Sequence, residues 1–122
     1  MYTLTVSSRF SAAHHLINYP GPCQRIHGHN YRVKISITAT RLDDMGMVMD
    51  LMDLQSLLDK CVGQFDHQYL NKIPPFDALN PTSENFSRYI FEWIEQKLPE
   101  HITLKTVEFF ETEDYSVKYE KS

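Results

Sequence analysis

Cys23-Gln24-Arg25-Ile26-His27-Gly28-His29 sets a thiol ahead of two histidines that flank a single glycine. Residues at i and i+2 of a strand project from the same face. His27 and His29 therefore present two imidazoles side by side, and the glycine between them lets a backbone or ligand come close on the other side. Neutral imidazole suits zinc, which in catalytic sites takes three protein ligands and keeps a fourth position open. The stretch reads as part of a metal site whose third ligand must come from elsewhere in the chain.

Downstream of the pair, Tyr31, Val33, Ile35, Ile37 and Ala39 alternate with Arg32, Lys34, Ser36, Thr38 and Thr40. This is the period-2 pattern of a half-buried strand, and His27 and His29 lie on its apolar parity. Upstream, Tyr2, Leu4, Val6, Phe10 and Ala12 share one parity, broken by Ser8, while Thr3, Thr5, Ser7, Arg9 and Ser11 take the other. His14 continues the apolar parity and His15 does not. Antiparallel pairing through a loop containing Asn18-Tyr19-Pro20-Gly21-Pro22 would bring the end of the first strand beside the start of the second. The third ligand is then His14.

Asp50 is placed to cap a helix whose apolar positions are Leu51, Leu54, Leu57, Leu58, Cys61, Val62 and Phe65. Thr82 or Ser83 can cap a second, with Phe86, Tyr89, Ile90, Trp93 and Ile94 on its buried face, and Pro99 ends it. Leu104 to Glu111 and Tyr115 to Tyr119 read as a hairpin around Thr112-Glu113-Asp114, with Tyr115, Val117 and Tyr119 on one face. The order is ββααββ. The expected fold class is α+β, an antiparallel four-stranded sheet carrying two helices on one face, in a single domain over residues 1–122. Outer strands of such a sheet keep unpaired edges that self-association can satisfy.

With 122 residues, 42% of them hydrophobic, the chain can build one core. A net charge of −4 and the absence of a basic run argue against a nucleic-acid surface. No stretch is apolar enough to span a membrane and no export signal opens the chain, so a cytoplasmic protein is expected. Cys23 and Cys61 are read as reduced thiols, because two cysteines in such a chain do not make a disulfide framework. Cys61, on a helical apolar stripe, is a core residue.

Zinc on three neutral histidines keeps its double positive charge and can polarise a carbonyl or hydroxyl oxygen. Proton transfer needs a second group, and Cys23 is a candidate general base, since a neighbouring metal or histidine lowers a thiol's pKa from about 8.5. His67 and Asp66 could tune that thiol if the fold brings them close. Alternatively Cys23 is a fourth ligand. Three histidines and a cysteine close a tetrahedral structural site, and the protein would then be a zinc-stapled binding module.

Phe10-Ser11-Ala12-Ala13-His14, the Cys23 to His29 stretch, Asp66-His67, Asn80-Pro81-Thr82-Ser83-Glu84 and Glu111-Thr112 occur in one order along the chain. Together they resemble the 6-pyruvoyl-tetrahydropterin synthase family. A thiol placed as Cys23 is looks like the bacterial 6-carboxy-tetrahydropterin synthases of queuosine precursor biosynthesis. The resemblance implies conversion of 7,8-dihydroneopterin triphosphate to 6-carboxy-5,6,7,8-tetrahydropterin, with release of acetaldehyde and triphosphate and no redox cofactor. A 6-pyruvoyl synthase is the neighbouring alternative.

Carried over motif by motif, the resemblance implies Zn2+ on His14, His27 and His29, with Cys23 as proton acceptor activated by His67 and Asp66. Glu111 would anchor the guanidine-like edge of the pterin and relay protons, with Thr82 and Ser83 near the same ring. It also implies the tunnelling fold (T-fold), assembled as a homohexamer from two stacked trimers. Sites would be shared between subunits.

Overall fold

The computed structural model describes residues 1–18, 21 and 25–122. Its elements are β1 (Tyr2–His14), β2 (His27–Ala39), α1 (Leu51–Gly63), β3 (Gln68–Tyr69), α2 (Ser83–Glu95), β4 (Thr103–Phe110) and β5 (Ser116–Tyr119), with a 3-10 turn over Leu70–Lys72. They form one sheet in the order β3-β1-β2-β4-β5. The two helices pack on the face that carries Phe10, Tyr31, Val33, Ile35, Val107 and Phe109, and share one core with it.

The sheet has one strand more than the pattern predicts. Gln68 and Tyr69 pair in parallel with Ala12 and Ala13. A two-residue strand has no periodicity to detect, and parallel pairing follows from the turn that brings the chain back after α1. The other contacts are antiparallel, β1 with β2 over the whole of both strands and β2 with β4 across a bulge at Ser36/Ile37.

Both helices start at the predicted caps. The Asp50 side chain accepts from the Met52 N–H at 2.8 Å, and Thr82 Oγ1 accepts from the Asn85 N–H at 3.1 Å. Each satisfies an amide that has no partner inside the helix. Leu54, Leu58, Cys61 and Val62 are buried from α1, and Phe86, Ser87, Ile90, Phe91 and Ile94 from α2. Leu51, expected on the buried stripe, is half exposed. It starts the helix, where the apolar face has not yet reached the sheet. Tyr115 is likewise exposed and precedes β5, within a turn in which Thr112 Oγ1 accepts from the Asp114 and Tyr115 amides.

An aromatic column runs through the core beneath the start of β2. Tyr31 lies against Phe10, with centroids 4.9 Å apart and planes 25° from parallel, and Phe86 stacks on Phe76 and Phe109 at 4.5 Å and 4.8 Å. Burial of a ring this size stabilises by about 1.5–3 kcal/mol. The candidate site sits on this column, with the Tyr31 ring 6.1 Å from His14 and 5.5 Å from His29. Among the described residues no helix is long and apolar enough to cross a membrane.

Candidate functional site

The register of β1 and β2 builds the cluster directly. His14 lies opposite His27, Ala12 opposite His29 and Phe10 opposite Tyr31. Side chains on one face of neighbouring strands meet across the ladder, and small Ala12 leaves room for the His29 ring. The ring centroids are 4.5 Å apart for His14 and His27, 4.9 Å for His27 and His29, and 5.4 Å for His14 and His29. His15, on the other parity, turns away and meets the Tyr69 hydroxyl through Nδ1 at 2.6 Å. The ladder runs straight through Gly28. A Cβ there would meet the Ala12 carbonyl at 3.6 Å, an ordinary contact, so nothing within the described chain requires a glycine.

Glu111, just past the end of β4, completes the group. One donor atom from each of His14, His27, His29 and Glu111 lies within 4.8 Å of all the others. The donor set fits a divalent metal, and the tautomers agree. His27 Nδ1 is 2.8 Å from the Arg25 carbonyl, which can only accept, so Nδ1 donates and it is Nε2 that carries the lone pair in the neutral ring. His14 Nδ1 is hydrogen-bonded to the Tyr31 hydroxyl. His29 Nε2 is buried and lies 3.0 Å from Glu111 Oε1, yet among the described residues it has no hydrogen-bond partner. A buried polar atom left this way costs free energy unless something else takes its lone pair.

Burial first, then the neighbouring His27, His29 and His15, together lower the His14 pKa to about 4. His29 is also lowered, first by burial, with Glu111 opposing and His27 reinforcing. Both imidazoles are neutral at physiological pH, the state a metal requires.

β2 extends past the last rung with β4, which is Arg32 opposite Phe110, so among the described residues its first positions have no partner on that side. There a cavity of about 810 Å³ opens, lined among others by Arg9, Ser11, His29, Asn30, Arg32 and Glu111. Its size suits a small organic ligand.

Residues 3–122 match the model of a family described as 6-pyruvoyl tetrahydropterin synthase. The chain belongs to this pterin synthase family. A 6-carboxy-5,6,7,8-tetrahydropterin synthase of Synechocystis is 35% identical over 128 residues, spanning 98% of this chain and 93% of its own. A dihydroneopterin monophosphate aldolase of Pyrococcus furiosus is 32% identical over 97 residues, 80% of each chain. The structure of 6-pyruvoyl tetrahydropterin synthase from Caenorhabditis elegans superposes with a TM-score of 0.86 at 30% identity, covering 99% of this chain and 96% of that one. The T-fold of the pterin synthases is thus the fold of this chain.

The remaining site residues take distinct positions in this family fold. Ser83 Oγ donates to Glu111 Oε2 at 3.1 Å, placing the start of α2 against the site. The Thr82 oxygen is already engaged as the helix cap. Asp66 and His67 lie on the sheet edge at β3. Asp66 Oδ1 accepts from the Ser11 amide and sits 3.0 Å from His67 Nδ1, and the Ser11 amide first, then His67, lower the Asp66 pKa. His67 has a left-handed backbone, φ 58°, and its N–H donates to the Ser11 carbonyl at 2.6 Å, while its ring is 82% exposed. Cys23 lies outside the described residues. Two features escaped the sequence pattern: Tyr31, taken there only as an apolar strand residue, and the entry of Glu111 into the histidine cluster.

Proposed function

We propose that this pterin synthase homologue is a zinc-dependent lyase that converts 7,8-dihydroneopterin triphosphate to 6-carboxy-5,6,7,8-tetrahydropterin, acetaldehyde and triphosphate, a step in queuosine precursor biosynthesis. The observation that carries the reading is the convergence of three imidazoles and Glu111 beside an open cavity. His14, His27 and His29 hold the metal, which when bound supplies Lewis-acid polarisation of the substrate's side-chain oxygens.

The chain's own groups do the rest. Glu111 accepts from the guanidine-like edge of the pterin through two oxygens, the geometry in which charge-assisted pairs are strongest, and Ser83 holds it in place. Thr82 and Ser83 border the ring at the start of α2. Cys23 takes up the proton released as the side chain rearranges, and His67, oriented through Nδ1 by Asp66, maintains the thiolate. Arg9 and Arg32 face each other in the β1/β2 register and line the same cavity, and among the described residues no carboxylate pairs with either. Such a pair of like charges suits a polyanionic tail.

The exposed His67 ring supports a site completed by a second subunit, within a homohexamer in the cytoplasm. Incubation with dihydroneopterin triphosphate and identification of the products tests the reaction. Acetaldehyde and the 6-carboxy product are expected. A 6-pyruvoyl main product, or aldol cleavage alone, would assign the chain to another branch of the family, and zinc binding without turnover would make it a binding module.

A further inference from the structure

β1 ends at His14 and His15 follows it directly, and each of the two meets a tyrosine hydroxyl at Nδ1: His14 that of Tyr31, His15 that of Tyr69. Only His14 belongs to the metal cluster. The two tyrosines also differ in how they are held. Tyr31 is 2% exposed and fixed among aromatic rings from three elements, with centroids 4.9 Å from Phe10, 6.2 Å from Phe86 and 5.1 Å from Phe109. Tyr69 lies at the sheet edge and is only partly buried. The Tyr31 ring also underlies the site, 6.1 Å from His14 and 5.5 Å from His29.

We infer that Tyr31 is the positioning residue for the metal ligand His14, its hydroxyl fixing the imidazole so that Nε2 faces His27 and His29. The inference rests on the metal reading above. A neutral imidazole has one proton. For Nε2 to offer a lone pair, Nδ1 must carry that proton and donate it, so the Tyr31 oxygen accepts and its own proton turns aside. A metal-ligating histidine is commonly held by a hydrogen bond at its other nitrogen, and loss of that partner weakens metal affinity. Here the partner is anchored in the core, so the aromatic column transmits its rigidity to the site through one hydroxyl.

Removing the Tyr31 hydroxyl leaves the ring packing intact and the His14 Nδ1 without its partner. Tyr31→Phe and Tyr69→Phe make a matched pair, each removing one hydroxyl from one of two adjacent histidines. Zinc affinity is measured by competition with a chromophoric chelator, and cobalt(II) is used as a spectroscopic probe of the same site. Tyr31→Phe should weaken zinc binding by about tenfold or more and alter the cobalt(II) visible bands, whereas Tyr69→Phe should leave both near wild type. Loss of thermal stability alone, in either variant, would not produce this difference.

Equal zinc affinity in wild type and Tyr31→Phe, or an equal loss in both variants, overturns the assignment. If Tyr31→Phe folds only with metal, the zinc concentration that restores its far-UV spectrum is compared with that for Tyr69→Phe and read by the same criterion. Wild-type protein that binds no zinc defeats the metal reading itself, a result distinct from metal bound equally well without the hydroxyl.

Discussion

Ser83 Oγ donates a hydrogen bond to Glu111 Oε2 at 3.1 Å, joining the first turn of α2 to the end of β4. The carboxylate's other oxygen lies 3.0 Å from His29 Nε2, so Glu111 stands between a helix start and the histidine cluster. A hydrogen bond to a charged group contributes about 1.5–3 kcal/mol.

Glu111→Gln keeps the volume and removes the charge proposed to receive the pterin. The expected outcome is a loss of about tenfold to a hundredfold in kcat/KM, the rate equivalent of that energy, with zinc content unchanged. Ser83→Ala should act in the same direction and less strongly, mainly through KM. Elemental analysis separates the roles: zinc lost from Glu111→Gln would make the carboxylate a ligand rather than a substrate anchor.

Beyond β1 the chain is held by side-chain amides in place of a strand. Asn71 Oδ1 accepts from the His15 N–H at 2.9 Å and its Nδ2 donates to the His15 carbonyl at 3.0 Å. Asn80 does the same for Ile17, at 2.7 Å and 3.2 Å. Asn71→Ala removes two bonds at a partly buried position and should lower stability by about 1–3 kcal/mol, visible as a lower midpoint in urea. Asn71→Asp retains the acceptor alone and should fall between. An unchanged midpoint for Asn71→Ala would show that water replaces the clamp.

The period-2 alternation made β1 and β2 legible because each strand has one face in the core, and the same parity separated His14 from His15. Asp50 and Thr82 were legible as caps because the chemistry of a helix start is local. β3 was not, since two residues carry no pattern. Leu51 was placed on the apolar stripe of α1, and Tyr115 within the last strand, by extending a period beyond the region where the element meets the core. The contact of Glu111 with His29 and the bond from Tyr31 to His14 depend on where strands begin and end relative to one another, which no local pattern contains.

Cys61 is fully buried, and burial raises its thiol pKa to about 12 against an ordinary 9.0, with Lys97 opposing. The thiol should resist alkylation in the native protein at pH 8 and react once denaturant exposes it, which mass spectrometry of the labelled chain reads directly. The folded pKa lies above the unfolded one, so the stabilising contribution is complete below about pH 9 and is lost as pH rises from 9 toward 12. Cys61→Ala should flatten that part of the alkaline stability curve and leave turnover intact. A curve with the same alkaline slope would assign the loss to other groups.

His67 holds a left-handed backbone and is oriented by Asp66 and Ser11, yet its ring is largely exposed in the single chain. Orientation without a target among the described residues fits a group that acts across a subunit boundary. Cys23→Ala and His67→Ala should each be nearly inactive as pure assemblies. When the two are denatured together and refolded as mixed oligomers, some interfaces bring an intact thiol from one chain to an intact imidazole of another, and activity should partly return. If both residues serve the same subunit's site, every site in the mixture lacks one of them. A mixture as inactive as its parents, with subunit exchange proven by mass spectrometry of differently tagged chains, would therefore exclude the shared site.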